Sequence, residues 1–174
     1  MRHDDAMPRL FIAAWPTDHV RARIAELNRP DESGVRWVAV AKMHATLRFL
    51  GESDPEAVAD RLAATRLPRA SARLGPRVGR LGSKLIVIPV DGLDELADTV
   101  RTATGDLGEP ERFEFKGHVT LARTARNAAS ALLGASIATR FDVDEIALIR
   151  SDLTEEGAVY TTLATFGTGV TSGV

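Results

Sequence analysis

The word His-x-Thr-Leu occurs twice in this chain, as His44-Ala45-Thr46-Leu47 and as His118-Val119-Thr120-Leu121. Each copy closes the same series of predicted elements. From the apolar run at Leu10 through a helix to His44 is 34 residues; from the apolar run at Leu85 through a helix to His118 is 33. A chain that repeats strand, helix and strand at matched spacing is constrained to fold as two copies of one unit. Such copies pack about a pseudo-two-fold axis with equivalent strands side by side. The expected class is therefore α+β, a duplicated unit with no low-complexity linker between its halves.

The finer pattern places the elements. Residues 1–8 form an expected flexible leader, and 9–174 the folded domain. Arg9 to Trp15 is a predicted buried strand, followed by a helix from Thr17 and Asp18 with Val20, Ile24 and Leu27 on one face. Val35–Val40 is expected as a strand, and the first motif strand begins near Met43. Asp54-Pro55-Glu56 is a helix start, with a capping carboxylate, Pro at the first helical position and an acidic first turn. Residues 70–82 are expected to be extended. Leu85–Ile88 reads as a strand ended by Pro89, and Asp91 as the start of a helix burying Leu93, Leu96, Ala97 and Val100. A short helix is expected over Asn127–Leu133, and late strands over Phe141–Arg150 and Ala158–Phe166.

Composition removes several classes. The apolar fraction of 44% and net charge of −2 fit a folded globular protein without the basic field that binds long nucleic acid. A small phosphate held by a few arginines stays open. There is no cysteine, hence no disulfide framework and no thiolate metal site. No apolar h-region follows the basic start and no run is long enough to cross a bilayer. The expectation is a cytoplasmic monomer with no membrane association.

On a strand, side chains alternate between faces. His44 and Thr46 should share one face with Arg48, and His118 should share one with Thr120. The apolar positions between them are then free to pack under helices. Two-fold packing would gather two imidazoles and two hydroxyls in one cleft. A neutral imidazole can take a proton from water while a protonated one donates to a departing oxygen; the hydroxyls can bind non-bridging phosphate oxygens. This chemistry fits a phosphodiester and uses no metal or cofactor. One strand histidine is more often a hydrogen-bonded half-buried residue than a catalyst; two in matching words within matching repeats reverse that preference. A zinc site is disfavoured, since no carboxylate stands at a fixed offset from both histidines and His-Glu-x-x-His is absent.

These motifs, with Arg9–Ala13, Arg36-Trp37-Val38, Arg48–Glu52, Ile149-Arg150-Ser151 and Tyr160–Leu163, resemble the two-histidine phosphoesterase superfamily. Within it they resemble the bacterial and archaeal RNA 2′,3′-cyclic phosphodiesterases, long labelled 2′-5′ RNA ligases. The resemblance implies a LigT-like bilobal fold, with two antiparallel sheets around a central cleft and helices packed outside. It implies metal-independent opening of 2′,3′-cyclic phosphates at RNA or nucleotide ends to a 2′-phosphate. His44 would be the general acid and His118 the general base, although the near symmetry permits the opposite order. Thr46, Thr120 and Arg123 would bind the phosphate. Strict alternation puts Arg123 on the face opposite His118, so its role requires a bend. Trp37 is read as a core residue in preference to a base-stacking one. Gly117 stands where the family usually has Pro, and Ser83-Lys84-Leu85 lacks the family's aromatic. The alternatives are a 2′-5′ ligase, a phosphodiesterase for another small cyclic phosphate, or a non-catalytic RNA-end binding module.

Overall fold

The first apolar run is a strand with both faces covered. In the computed structural model, which describes residues 6–169, β1 (Arg9–Ala14) sends Leu10, Ile12 and Ala14 into the main core and Phe11 and Ala13 into a smaller cluster on the opposite face. Burial on both faces explains why it reads as an unbroken apolar run. Helix α1 (Asp18–Ala25) follows and buries Val20 and Ile24. Then come β2 (Val35–Trp37), a 3-10 turn at Val40–Lys42, and β3 (Ala45–Glu52). Helix α2 (Pro55–Ala63) begins as expected: the Asp54 carboxylate accepts from the Glu56 N–H at 3.0 Å, with Pro55 in the first turn.

The second half runs β4 (Ala70–Leu74), β5 (Gly79–Leu81), β6 (Leu85–Asp91), α3 (Asp94–Ala103) and β7 (His118–Thr124). It is completed by β8 (Thr139–Val143), β9 (Glu145–Thr154) and β10 (Gly157–Gly167). All strand pairs are antiparallel, in the order β10-β9-β1-β3-β7-β6-β4-β8; β2 adds to β7 and β5 to β6. The duplicated units occupy equivalent places in that order. The pair β1–β3 faces the pair β6–β7, and the halves join at a single residue pair, Ala45 with Val119. Buried residues of all three helices share the main core with one face of the strands, which leaves the other face for a cleft.

Several boundaries differ from expectation. Val35–Val40 is a strand only to Trp37 before the 3-10 turn. Pro89 does not end β6. It lies where the neighbour on one side changes from β5 to β4, so its missing N–H falls in that gap while its carbonyl accepts from Gly75. The helix predicted from Asp91 starts at Asp94, because Gly92 turns the chain at φ +93°. No helix forms over 127–133. Asn127 has φ +54°, and the Glu32 carboxylate takes the Ser130 hydroxyl and the Ala131 N–H, holding the segment as turns. Phe141–Arg150 is two strands in opposite halves of the sheet, broken at Asp144. Of the expected leader, residues 1–5 lie outside the described residues; Pro8 is tied down, its carbonyl accepting from Ser53 at 3.1 Å.

Candidate active site

Both histidines stand at the start of a motif strand. His118 is the first residue of β7 and His44 immediately precedes β3. The Ala45–Val119 pairing sets His44 across from Thr120 and Thr46 across from His118, so each half's imidazole faces the other half's hydroxyl. The two imidazoles are then on diagonal neighbours, for which Cβ separations somewhat under about 7–8 Å are usual. Thr46 lies beside Ala13 of β1, and Thr120 beside Val87 of β6. Small and apolar neighbours leave the four polar groups as the chemistry of this floor.

The two rings are held by the same device. His44 Nδ1 lies 2.8 Å from the Lys42 carbonyl, and His118 Nδ1 lies 2.6 Å from the Lys116 carbonyl. A carbonyl only accepts, so Nδ1 carries the proton in each ring and Nε2 is the nitrogen left for proton transfer. The repeated word is thus longer than His-x-Thr-Leu: Lys42-Met43-His44 and Lys116-Gly117-His118 match as Lys-x-His. Gly117 is required by packing. A Cβ there would overlap the Val90 carbonyl oxygen, while the Gly117 carbonyl accepts from Val90 N–H at 2.9 Å.

A bulge in each motif strand decides which later residues reach the cleft. The β1–β3 register slips between Thr46 and Arg48, and the β6–β7 register slips between Thr120 and Ala122. The extra residue is the motif leucine in both cases, Leu47 and Leu121. Beyond each bulge the faces exchange. Arg123 therefore lies on the face of His118 and Thr120, which supplies the bend its proposed role needs. By the same shift Arg48 leaves the face of His44. It is 2% exposed and donates to the Thr104, Leu107 and Glu109 carbonyls beneath the sheet, so the expectation that it shares the His44 face is corrected. Phe49 takes the position in β3 equivalent to Arg123 and is 45% exposed. Trp37 pairs with Ala122 and packs on the core, its Nε1 donating to the Pro30 carbonyl at 2.8 Å.

No local sequence pattern marks the surroundings of His44. Phe11, Trp15 and Tyr160 box its ring, with centroids at 4.8, 5.5 and 5.4 Å. Burial among them is the main reason the His44 pKa is lowered; the positive charges of His118 and Arg123 add to this, against the Lys42 hydrogen bond. The ring is thus biased toward neutrality. Above the ordinary imidazole value of about 6.5 this preference contributes fully to stability, and the contribution is lost as pH falls from there through the depressed value. A two-dimensional NMR titration is expected to show His44 titrating below that ordinary value in the free protein, and higher when inorganic phosphate fills the cleft. An unshifted His44 in both states would contradict the burial argument.

On the side of Thr46 and His118 the cleft continues into a cavity of about 290 Å³, walled by Phe49, Glu111, Phe113 and Lys116. Among the described residues no three of His, Asp and Glu gather as a metal-binding group, and no helix is long and apolar enough to cross a membrane.

Residues 16–155 match the profile of the 2′-5′ RNA ligase superfamily. The chain is 31% identical to the RNA 2′,3′-cyclic phosphodiesterase of Thermus thermophilus, over 91% of this chain and 89% of that protein. It is 35% identical to the RNA 2′,3′-cyclic phosphodiesterase of Aeropyrum pernix, over 74% and 84%. The fold superposes on E. coli LigT complexed with 3′-AMP with a TM-score of 0.76 and 27% identity, over 94% of this chain and 99% of that one.

Proposed function

The chain belongs to the 2′-5′ RNA ligase superfamily, within the two-histidine phosphoesterases, and from that premise we propose that it hydrolyses 2′,3′-cyclic phosphates at RNA or nucleotide ends to 2′-phosphomonoesters. The observation that carries this reading is the quartet of two imidazoles and two threonines, each ring fixed by the same Nδ1 bond, which leaves Nε2 for proton transfer. Two relatives named RNA 2′,3′-cyclic phosphodiesterase, and LigT's complex with 3′-AMP, support the substrate class.

In this mechanism the His118 Nε2 takes a proton from water as the water oxygen bonds to phosphorus. The bond from phosphorus to the 3′ oxygen breaks in line, and the protonated His44 gives its Nε2 proton to that oxygen. One proton leaves water and one reaches the leaving oxygen, so exchange with solvent resets the pair. Thr46 and Thr120 donate to the non-bridging oxygens, and Arg123 offsets the developing charge. Burial among the aromatic rings biases His44 toward neutrality. An arriving phosphate anion favours the imidazolium and opposes that bias, so the acid is charged as substrate binds. The scheme draws on no metal.

Product analysis tests the proposal. With EDTA present, a 2′,3′-cyclic mononucleotide and an oligonucleotide ending in 2′,3′-cyclic phosphate are expected to yield 2′-phosphates. A 3′-phosphate product would overturn the leaving-group assignment, and no conversion of either by folded protein would overturn the activity.

A further inference from the structure

We propose that Arg36 and Arg123 form a second phosphate subsite, which takes the internucleotide phosphate one step upstream of the reacting end and makes a cyclic-phosphate-ended RNA a better substrate than a free cyclic nucleotide. The inference rests on the hydrolytic reading above and extends it to substrate length.

Arg36 of β2 is the direct cross-strand partner of Arg123 of β7. Residues so paired lie on one face, and the bulge at Leu121 makes that face the one carrying His118 and Thr120. Both side chains are exposed. Like charges directly opposite each other in an antiparallel pair are unfavourable. Among the described residues the carboxylates that form ion pairs are engaged by Arg21, Arg23, Arg48, Arg61, Arg101 and Arg150, and none by these two. Packing does not require the pair either, since Trp37 and Ala122 fill the core beneath it. An anion between the guanidiniums removes the repulsion.

The placement suits the second phosphate of a chain. Arg123 lies beyond Thr120 by three residues, one of them absorbed in the bulge, at a strand rise of about 3.3 Å each. Its charge still reaches His44. Arg123 thus stands between the reacting phosphate and the upstream one, whereas Arg36 serves only the latter. The pair opens on a cavity of about 510 Å³ bordered by Gly34 and Ala125, ample for a phosphate and its sugar. Planar guanidiniums bind phosphate oxygens in pairs, giving a local cationic site on a chain whose net charge is −2.

The test compares three substrates with wild-type and Arg36→Ala protein: a 2′,3′-cyclic mononucleotide, a dinucleotide ending in 2′,3′-cyclic phosphate, and that dinucleotide with a neutral methylphosphonate linkage. Arg36→Ala is expected to lower kcat/KM about tenfold on the dinucleotide and leave the mononucleotide unchanged. The methylphosphonate dinucleotide is expected to be turned over equally by both proteins. Equal loss on all three substrates, or no loss on the dinucleotide, overturns the subsite while leaving the hydrolytic reading intact. Wild-type protein inactive on all three overturns that reading and the subsite with it.

Discussion

His44→Ala and His118→Ala are each expected to lose about 10²–10⁴-fold in kcat on a cyclic phosphate while remaining folded, as read by steady-state kinetics beside circular dichroism. The imidazoles act in one concerted transfer, so the double variant should lose little more than the worse single variant. The two should differ in stability. His44 fills a box formed by Phe11, Trp15 and Tyr160, and its removal leaves a gap there, whereas among the described residues no aromatic ring pairs with His118. Unfolding of both variants would mean that the histidines are core residues and that the paired word is structural.

Arg48→Met is expected to give the largest loss of stability, about 3 kcal/mol, or roughly 6–12 °C in Tm for a chain of this size, read by thermal melting. The Arg48 guanidinium lies beneath β3 and donates to the Thr104 carbonyl and hydroxyl and to the Leu107 and Glu109 carbonyls. Its Nε stands 3.4 Å from the Glu111 carboxylate. Methionine fills much of the volume but leaves carbonyls at the end of α3 without donors, and each such buried group costs about 1–3 kcal/mol before relaxation. The segment it clamps leads to Lys116 and His118. Gly108 presses that segment against Leu50, where φ is +67° and a Cβ would overlap the Leu50 carbonyl oxygen. Turnover is therefore expected to fall as well, with kcat affected more than KM. Unchanged stability would show that the clamp is dispensable.

The duplication was legible because element order, spacing and the repeated word agreed, and local pattern constrains each of them. The apolar neighbours of Trp37 mark it as core, and it packs there. The bulges were not legible: Leu47 and Leu121 look like ordinary alternating residues, and only cross-strand registry shows that they are extra. That one feature moved Arg48 from the cleft to the underside and brought Arg123 into it. The box around His44 was hidden for a similar reason, since Trp15 and Tyr160 are distant in sequence and meet only through the β1–β9–β10 pairing. The lysines two residues before each histidine were visible in the sequence. Their significance lies in the backbone carbonyls, which no side-chain pattern announces.

The pairing of imidazoles as acid and base is tested most directly by the pH dependence of kcat/KM for wild type and both alanine variants. Wild type should give a bell belonging to the coupled pair. His44→Ala should keep only the rise at low pH that reports deprotonation of the base, and His118→Ala only the fall at high pH that reports loss of the acid proton. A full bell surviving in either variant would contradict the account.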